Sequence, residues 1–417
     1  MAMAKGCPVD EGFDPLSPDY LTDPFAILAN IDVEERPIFY APSIDYYVLT
    51  RYADIEQVFR DSATFSALVA QQPLVPLAPE ALKILLAGDI RPQPTMVTLD
   101  EPAHGRLRKP AARAFSVKRV AAMAPAITAA SARLLDAVAD QEEFDLVAAF
   151  AFPLPANTVF SLMGVPRQDE AQLKRWCGYR AALSWGRPEP EEQVEIAASF
   201  AATWRYLREL VEVKAREPGD DLTSDLLAIH REDPAQLTLD EISSILFALS
   251  FAGHETTTSL ISNTLRRLLE EPARWTRIAQ TPSLIPGAVD ETLRYDPPVP
   301  VWRRVTTRPV TLGGVDLPKG AKLFLWLAAA GRDESVFHQP GRFEPERPDA
   351  GQHLAFGLGL HYCLGANLAR LETRLALEEL ARRYPSLRLA EGQQFTFHPN
   401  ISFRGPQELR VVSHGID

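Results

Sequence analysis

The chain has 417 residues and a formal net charge of −12, with 46% hydrophobic and 24% charged residues. That composition can bury a large core and excludes disorder as the main state. The acidic balance argues against a general nucleic-acid binder, which carries a basic face.

The first residues hold Asp10, Glu11, Asp14, Asp19 and Asp23 and lack the apolar core of a signal peptide. No apolar run reaches the roughly 18 residues that a bilayer demands. Three scattered cysteines, Cys7, Cys177 and Cys363, make no disulfide framework and fit a reducing compartment. The expectation is a cytoplasmic protein with no nucleic acid and no membrane among its partners.

In chain order, the Pro- and Asp-rich residues 1–36 are expected to wrap the surface. Tyr46-Tyr47-Val48-Leu49-Thr50 has the aromatic and β-branched content of a strand. A short helix through Ile55, Val58 and Phe59 follows. Residues 66–98, interrupted by five prolines from Pro73 to Pro94, read as a long loop holding one short helix over Glu80–Leu86. Loops of this length in compact domains are often functional. Glu101 to Ala139 is Ala-rich and helical, with breaks near Ser116 and Pro125. Further helices are predicted over 155–163, 167–183, 190–216 and 221–230, with Trp185-Gly186-Arg187-Pro188 as a break. Residues 239–270 form the longest uninterrupted pattern, opened by a Thr238/Glu241 capping box and closed by Pro272. One continuous helix there spans about 48 Å. A helix from Pro286 to Tyr295 precedes short β signals at 305–307, 310–312 and 322–325, with Gly313-Gly314 between the last two. The final helix, Asn367 to Tyr384, leads into a β-rich tail. No repeat or linker divides the chain. These elements predict one large, mainly α domain over 1–417 with a minor β part.

Local rules break in two places. The long central helix contains Ala252-Gly253-His254-Glu255-Thr256-Thr257-Thr258. Gly costs roughly 1 kcal/mol relative to Ala in a helix interior, and threonines can bond back to carbonyls one turn earlier. Such conflicts are expected at functional sites; the bland reading is a kink packed against a neighbour. The second anomaly is Phe356-Gly-Leu-Gly-Leu-His361-Tyr-Cys363-Leu-Gly365, where glycines flank a cysteine just before a strong helix. Glycine permits positive φ and close backbone approach, and helix N–H groups stabilise a thiolate. Three chemistries compete for Cys363. Zinc needs three or four ligands, and only His361 and Cys363 are at hand. A nucleophilic elbow needs α/β alternation. A haem iron needs one axial thiolate, an apolar slot and cations for two propionates.

At this point the chain resembles the cytochrome P-450 family of haem-thiolate monooxygenases over essentially its full length. Phe356-Gly-x-Gly-x-His361-x-Cys363-x-Gly365 looks like the haem-binding signature. Ala252-Gly253-x-Glu255-Thr256-Thr257 resembles the oxygen-activating motif of the central helix. Glu291-Thr292-Leu293-Arg294, Phe343-Glu344-Pro345-Glu346-Arg347 and His104-x-x-x-Arg108 complete the ordered set. Within the family, Cys7-Pro8-Val9-Asp10, Trp185-Gly186-Arg187-Pro188, Trp302-Arg303-Arg304 and Ser402-Phe403-Arg404-Gly405-Pro406 are similar to the self-sufficient type, whose haem domain is fused to an FMN/iron–sulfur reductase.

The resemblance implies haem b, dioxygen as co-substrate and electrons ultimately from NAD(P)H. It implies a ferredoxin and reductase as partners, or a fused reductase missing from this chain, since three cysteines cannot hold a ferredoxin cluster. Cys363 becomes the metal ligand. Glu255 and Thr256 become the acid–alcohol pair that delivers protons, and Gly253 lets oxygen approach. His104, Arg108, Arg304 and His361 become propionate ligands, with Arg303 able to replace Arg304. Phe356 and Gly365 frame the haem. Glu291, Arg294 and Arg347 form a structural triad. His254, His353 and His398 are read as surface or packing residues.

A mostly apolar pocket is expected. Its predicted lining is Leu68, Val69, Leu74, Val97, Ala248, Phe251, Ala252, Val299, Val301, Trp302 and Ile401, with Trp185 near the entrance. The implied reaction is hydroxylation or O-/N-dealkylation of a small hydrophobic or aromatic substrate. A peroxide-driven enzyme is the variant against which the Glu-Thr pair argues. A cysteine hydrolase built on Cys363 and a haem sensor without turnover are the alternatives of other classes. A basic cluster of Arg106, Arg108, Lys109, Arg113, Lys118, Arg119, Arg370 and Arg374 is the expected docking face for an acidic electron donor.

Overall fold

Capping and proline chemistry set most helix ends in the computed structural model, which describes residues 6–88, 90, 92–177 and 181–413. Thr238 and Glu241 close a reciprocal capping box at Leu239. The Asp221 carboxylate accepts from the Ser224 amide and starts the helix Leu222–Glu232. Pro190 opens the helix Pro190–Arg216, as suits a residue without an N–H at a position where none is needed.

The Ala-rich stretch is three helices, Ala103–Ala114, Val117–Ala122 and Ala124–Asp136. With Pro153–Met163, Ile285–Tyr295, Ala366–Arg383 and the central helices, they bury one large apolar core. A five-stranded sheet stands to one side, in the order Ile38–Ala41, Tyr46–Leu49, Lys322–Trp326, Val301–Thr306, Phe65–Ser66. Only the contact between Tyr46–Leu49 and Lys322–Trp326 is parallel. Parallel β-α repetition, which a nucleophilic elbow needs, is therefore not what this sheet is built from.

Five expectations are corrected. The central helix is not continuous: it runs Leu239–Ala252 and then Glu255–Leu269, broken at Gly253-His254. The predicted helix 167–183 is a short turn at Arg167–Asp169, then Glu170–Cys177 and Ala181–Trp185, with 178–180 outside the described residues. The strand expected at 305–307 begins at Val301. Gly313-Gly314 closes a hairpin between Val310–Leu312 and an additional strand Val315–Leu317, both glycines having positive φ. Among the described residues, the tail holds just the short strands Arg388–Leu389 and Arg410–Val412.

Glu291, Arg294 and Arg347 meet in the interior. Arg294 grips Glu291 through Nε to Oε2 at 2.7 Å and Nη2 to Oε1 at 2.8 Å. Arg347 Nε reaches Glu291 Oε1 at 3.2 Å, and the Glu344 amide donates to the same oxygen at 2.8 Å. The arginines' remaining donors go to the carbonyls of Gly331, His338, Pro340 and Arg342, among others. Removing one member of a buried ion network leaves a charge without compensation, which costs about 3–5 kcal/mol. Glu291→Ala is therefore expected to lower unfolding free energy by about that amount in urea denaturation. A loss below about 1 kcal/mol would show that the triad does not brace this region.

Candidate active site

The cysteine loop owes its shape to glycine. Gly357 and Gly359 have φ of +65° and +63°, and a Cβ on Gly359 would lie 2.9 Å from the Phe59 carbonyl oxygen. Any other residue would push the loop off the helix Tyr52–Arg60. The Cys363 amide donates to the Phe356 carbonyl at 2.9 Å. Ala366 opens the helix that follows. Burial pushes the free thiol pKa up, while backbone hydrogen bonds from Gly365 and Ala366 and the charges of Arg108 and Arg370 pull it down. The side chain is nonetheless accessible to water, so it faces a recess within the protein. A Cβ on Gly365 would meet nothing within 4 Å, so this glycine borders open space.

A buried cluster of nitrogen donors stands nearby. The His104 and His361 rings lie 4.5 Å apart. His104 is fully buried, with its Nδ1 3.5 Å from Glu101 and no hydrogen-bond partner at either ring nitrogen. His361 Nδ1 meets the Met96 carbonyl at 3.1 Å, and its buried Nε2 has no partner. Burial, then Arg304 and His104, push the His361 pKa down to about 4. Arg304 is 2% exposed, and burial lowers its pKa to about 10 against the attraction of Asp100. Its guanidinium lies over the Phe59 ring.

Strand alternation separates the two arginines. Arg303 turns to the opposite face and donates to Ala70, Gln72 and Ser184 carbonyls and to Tyr46 Oη, at 2.7–3.2 Å. Its hydrogen bonds commit it to the loop and to the sheet. Arg108 donates from Nη2 to the Tyr362 carbonyl, tying it to the residue before the cysteine. Orphaned buried nitrogens beside a buried arginine fit an anionic group such as the two carboxylates of haem.

The break in the central helix separates two faces. Ala248, Ala252 and Thr256, four residues apart, share one face, and Ala252 is exposed within its helix. Thr256 Oγ1 donates to the Ala252 carbonyl at 2.9 Å. Glu255 lies beside His254, with Oε1 3.3 Å from Nε2. His254 is fully buried between the Phe152 and Phe160 rings, so its packing role is inside the protein and not on the surface. Gly253 also serves packing. A Cβ there would lie 2.5 Å from Val159 Cγ2, so the glycine allows close packing with the helix Pro153–Met163.

The predicted pocket residues divide. Leu74, Phe251 and Trp302 pack with Trp185 in one apolar cluster. Trp185 stacks on Phe251 at 6.0 Å and lies 6.3 Å from Trp302. Val97 is half-buried and Val69 is buried at the edge of the proline-rich loop. Val299 packs against the sheet. Val301 and Ile401 are 0% and 1% exposed, which leaves them no surface to offer a substrate; they are core. Leu68 is 70% exposed and stands outside the packed aromatic cluster.

Sequence reasoning missed Arg370 as a charge acting on Cys363; it bonds Asp290 at 2.9 Å and covers the Phe356 ring. Its position one turn into the helix after the cysteine was the available signal. Glu372 was missed as well: burial raises its pKa to about 8, so it is mostly neutral at pH 7. No group of His, Cys, Asp or Glu among the described residues is arranged to hold a metal ion as zinc requires. No described helix is long and apolar enough to cross a membrane.

Residues 274–403 match the family profile described as Cytochrome P450. The chain is 36% identical over 372 residues to cytochrome P450 107B1 of Saccharopolyspora erythraea, covering 88% of this chain and 89% of that one. Its structure superposes on the haem domain of a P450 from Tepidiphilus thermophilus with a TM-score of 0.92 and 36% identity, covering 96% of each chain. An intact type IV self-sufficient cytochrome P450 monooxygenase superposes with a TM-score of 0.94 and 36% identity, covering 98% of this chain and 54% of that one. The chain spans about half the length of that self-sufficient relative and nearly all of the curated relative. A mainly α domain with a side sheet, a cysteine loop and a cation cluster thus belongs to a known class: the chain is a member of the cytochrome P-450 family of haem-thiolate monooxygenases. Family membership brings haem, dioxygen and an electron-donating partner, and removes the cysteine hydrolase.

Proposed function

We propose that this chain hydroxylates, or O- or N-dealkylates, a small hydrophobic or aromatic molecule, with electrons ultimately from NAD(P)H, in the cytoplasm. The observation that carries the site assignment is the pairing of an amide-held Cys363 with the orphaned His104–His361 nitrogens beside Arg304.

Bound haem supplies a thiolate-ligated iron that activates dioxygen. The chain's own residues do the rest. The Gly365 and Ala366 amides share the sulfur's charge. His104, Arg108, Arg304 and His361 hold the two carboxylates. Thr256 gives up its bond to the Ala252 carbonyl to hold a water, and the Glu255 carboxylate, positioned by His254, reloads the proton. Ala248 and Ala252 leave room for a substrate. Leu74, Phe251 and Trp302 favour an apolar or aromatic one.

The electron donor is proposed to dock on the helices Ala103–Ala114 and Val117–Ala122. The expected basic cluster is smaller than its sequence count. Arg106 pairs with Glu241, Arg119 with Asp225, Arg370 with Asp290 and Arg374 with Glu378. Lys109, Arg113 and Lys118 are exposed, as is Val117 at 73%. Exposed basic residues on these two consecutive helices suit an acidic ferredoxin or a fused FMN/iron–sulfur module, and the length of the self-sufficient relative favours the fused form.

Three outcomes follow from these assignments. The reduced, CO-treated protein is expected to show the red-shifted band of a thiolate-ligated haem, and Cys363→Ser to lose it; a variant that kept the band would overturn the ligand. Thr256→Ala is expected to retain haem while sending a larger share of reductant to hydrogen peroxide, because only proton delivery is disturbed. Equal peroxide yields in both proteins would move that role elsewhere. Reduction by an acidic ferredoxin is expected to slow as salt rises and to slow further in Arg113→Glu or Lys118→Glu, since steering between charges is screened over about 8–10 Å. A rate indifferent to salt and to both reversals places the donor on another surface.

A further inference from the structure

A chamber of about 350 Å³ lies against the central helix, lined by Phe251, Glu255, Ser259, His398, Asn400 and Gln407 among others. Phe251, Glu255 and Ser259 are spaced by four and form the stripe that faces it. Ala248, Ala252 and Thr256 are each offset by one position, about 100° around the helix. Glu255 therefore opens on the chamber while its neighbour Thr256 lies on the adjacent face. The mixed polar lining suits a chain of waters.

We infer that this chamber is a proton inlet and that His398 relays protons through it to Glu255. The inference rests on the proposed role of Glu255. His398 comes from the C-terminal segment, which the Phe397–Pro406 and Gly186–Asn400 bridges hold in place. Gln407 Nε2 lies 2.9 Å from His398 Nδ1, and Thr396 Oγ1 donates to Gln407 Oε1 at 3.1 Å. An amide can present its nitrogen to the neutral ring or, turned over, its oxygen to the protonated one. It therefore serves both charge states, whereas a carboxylate would lock the ring as a cation.

Glu255 and His398 are the titratable groups of the chamber wall. The Glu255 charge raises the His398 pKa against a larger lowering by burial. Arg266 and Arg404 stack on the adjacent Phe397 ring and turn to Asp296. His254 engages Glu255 from the buried side. In the relay, the imidazolium gives its Nε2 proton through water to a Glu255 carboxylate oxygen. The ring then recovers a proton from bulk solvent, and no electron moves. His398 acts through Glu255 and is a positioning residue in that sense.

The test compares wild type, His398→Gln, Glu255→Gln and the double variant as holoenzymes. They are driven by NADPH through a plant-type ferredoxin and its reductase, and hydrogen peroxide released per NADPH is measured from pH 5 to 7.5. In the wild type the peroxide share rises with pH as the imidazolium is lost. His398→Gln is expected to give a share several-fold higher at the acid end and flat with pH, and the double variant to match Glu255→Gln. A wild-type profile in His398→Gln, or additive effects in the double variant, overturns the relay. A normal profile in Glu255→Gln overturns the role of Glu255 and the relay with it. Independently of turnover, the His398 ring titration followed by NMR is expected to move to lower pH in Glu255→Gln. An unmoved titration overturns the coupling across the chamber.

Discussion

A thiolate and two carboxylates inside an apolar fold must each be met by donors, because an uncompensated buried charge costs several kcal/mol. On the proposed reading that demand ties the cysteine loop to the His–Arg cluster through one helix, Tyr52–Arg60. The Phe59 carbonyl sits where a Gly359 side chain would be, so it fixes the cysteine loop. The Phe59 ring lies under the Arg304 guanidinium. A shift of this helix would therefore disturb the sulfur and the carboxylate donors together. Arg108 adds a second tie, since it both acts on the Cys363 charge and holds the Tyr362 carbonyl. On the proposed reading, ligand and counter-charges form one mechanical unit.

The central helix meets a different constraint: it must serve two faces at once. A continuous helix would satisfy every carbonyl with an amide. Here the Ala252 carbonyl receives a hydroxyl, and the break falls where Gly253 lets the helix Pro153–Met163 approach. The weak helix-forming run is thus stabilised from behind, by Val159 and by the buried His254 between two phenylalanine rings. Packing on one side holds open an irregularity on the other. That is why glycine and three threonines persist in the longest helical pattern of the chain.

Much of this was legible because its chemistry is local. Thr238 and Glu241 cap a helix three residues apart, and the glycines around Cys363 announce positive φ. The ordered motifs carried the family, the triad and the pairing of His104 with His361. What the residues alone left open or misplaced depended on contacts remote in sequence. Alternation says that Arg303 and Arg304 point to opposite faces, but not which face holds His361. Val301 and Ile401 look as suited to a pocket as Phe251 does, and only packing seals them in the core. The chamber joins residues 147–152, 251–259 and 398–407, and no local pattern in any of these segments points to the other two.

Buried polar groups in this protein sort by whether their hydrogen bonds are complete. Arg294 spends all five N–H donors on Glu291 and on the Gly331, Pro340 and Arg342 carbonyls, and so has nothing left for a ligand. Arg303 engages three carbonyls and a tyrosine hydroxyl through its two terminal nitrogens, and only its Nε lacks a partner. Both ring nitrogens of the buried His104, and the buried Nε2 of His361, are by contrast left without partners. Folding alone gives no reason to keep such nitrogens, since an apolar residue of the same shape would cost less. A closed network argues for a brace, and an open one for a guest. Of two arginines adjacent in sequence, Arg303 makes four bonds to the scaffold, and on the proposed reading Arg304, on the other face of the strand and acting on His361, belongs to the site.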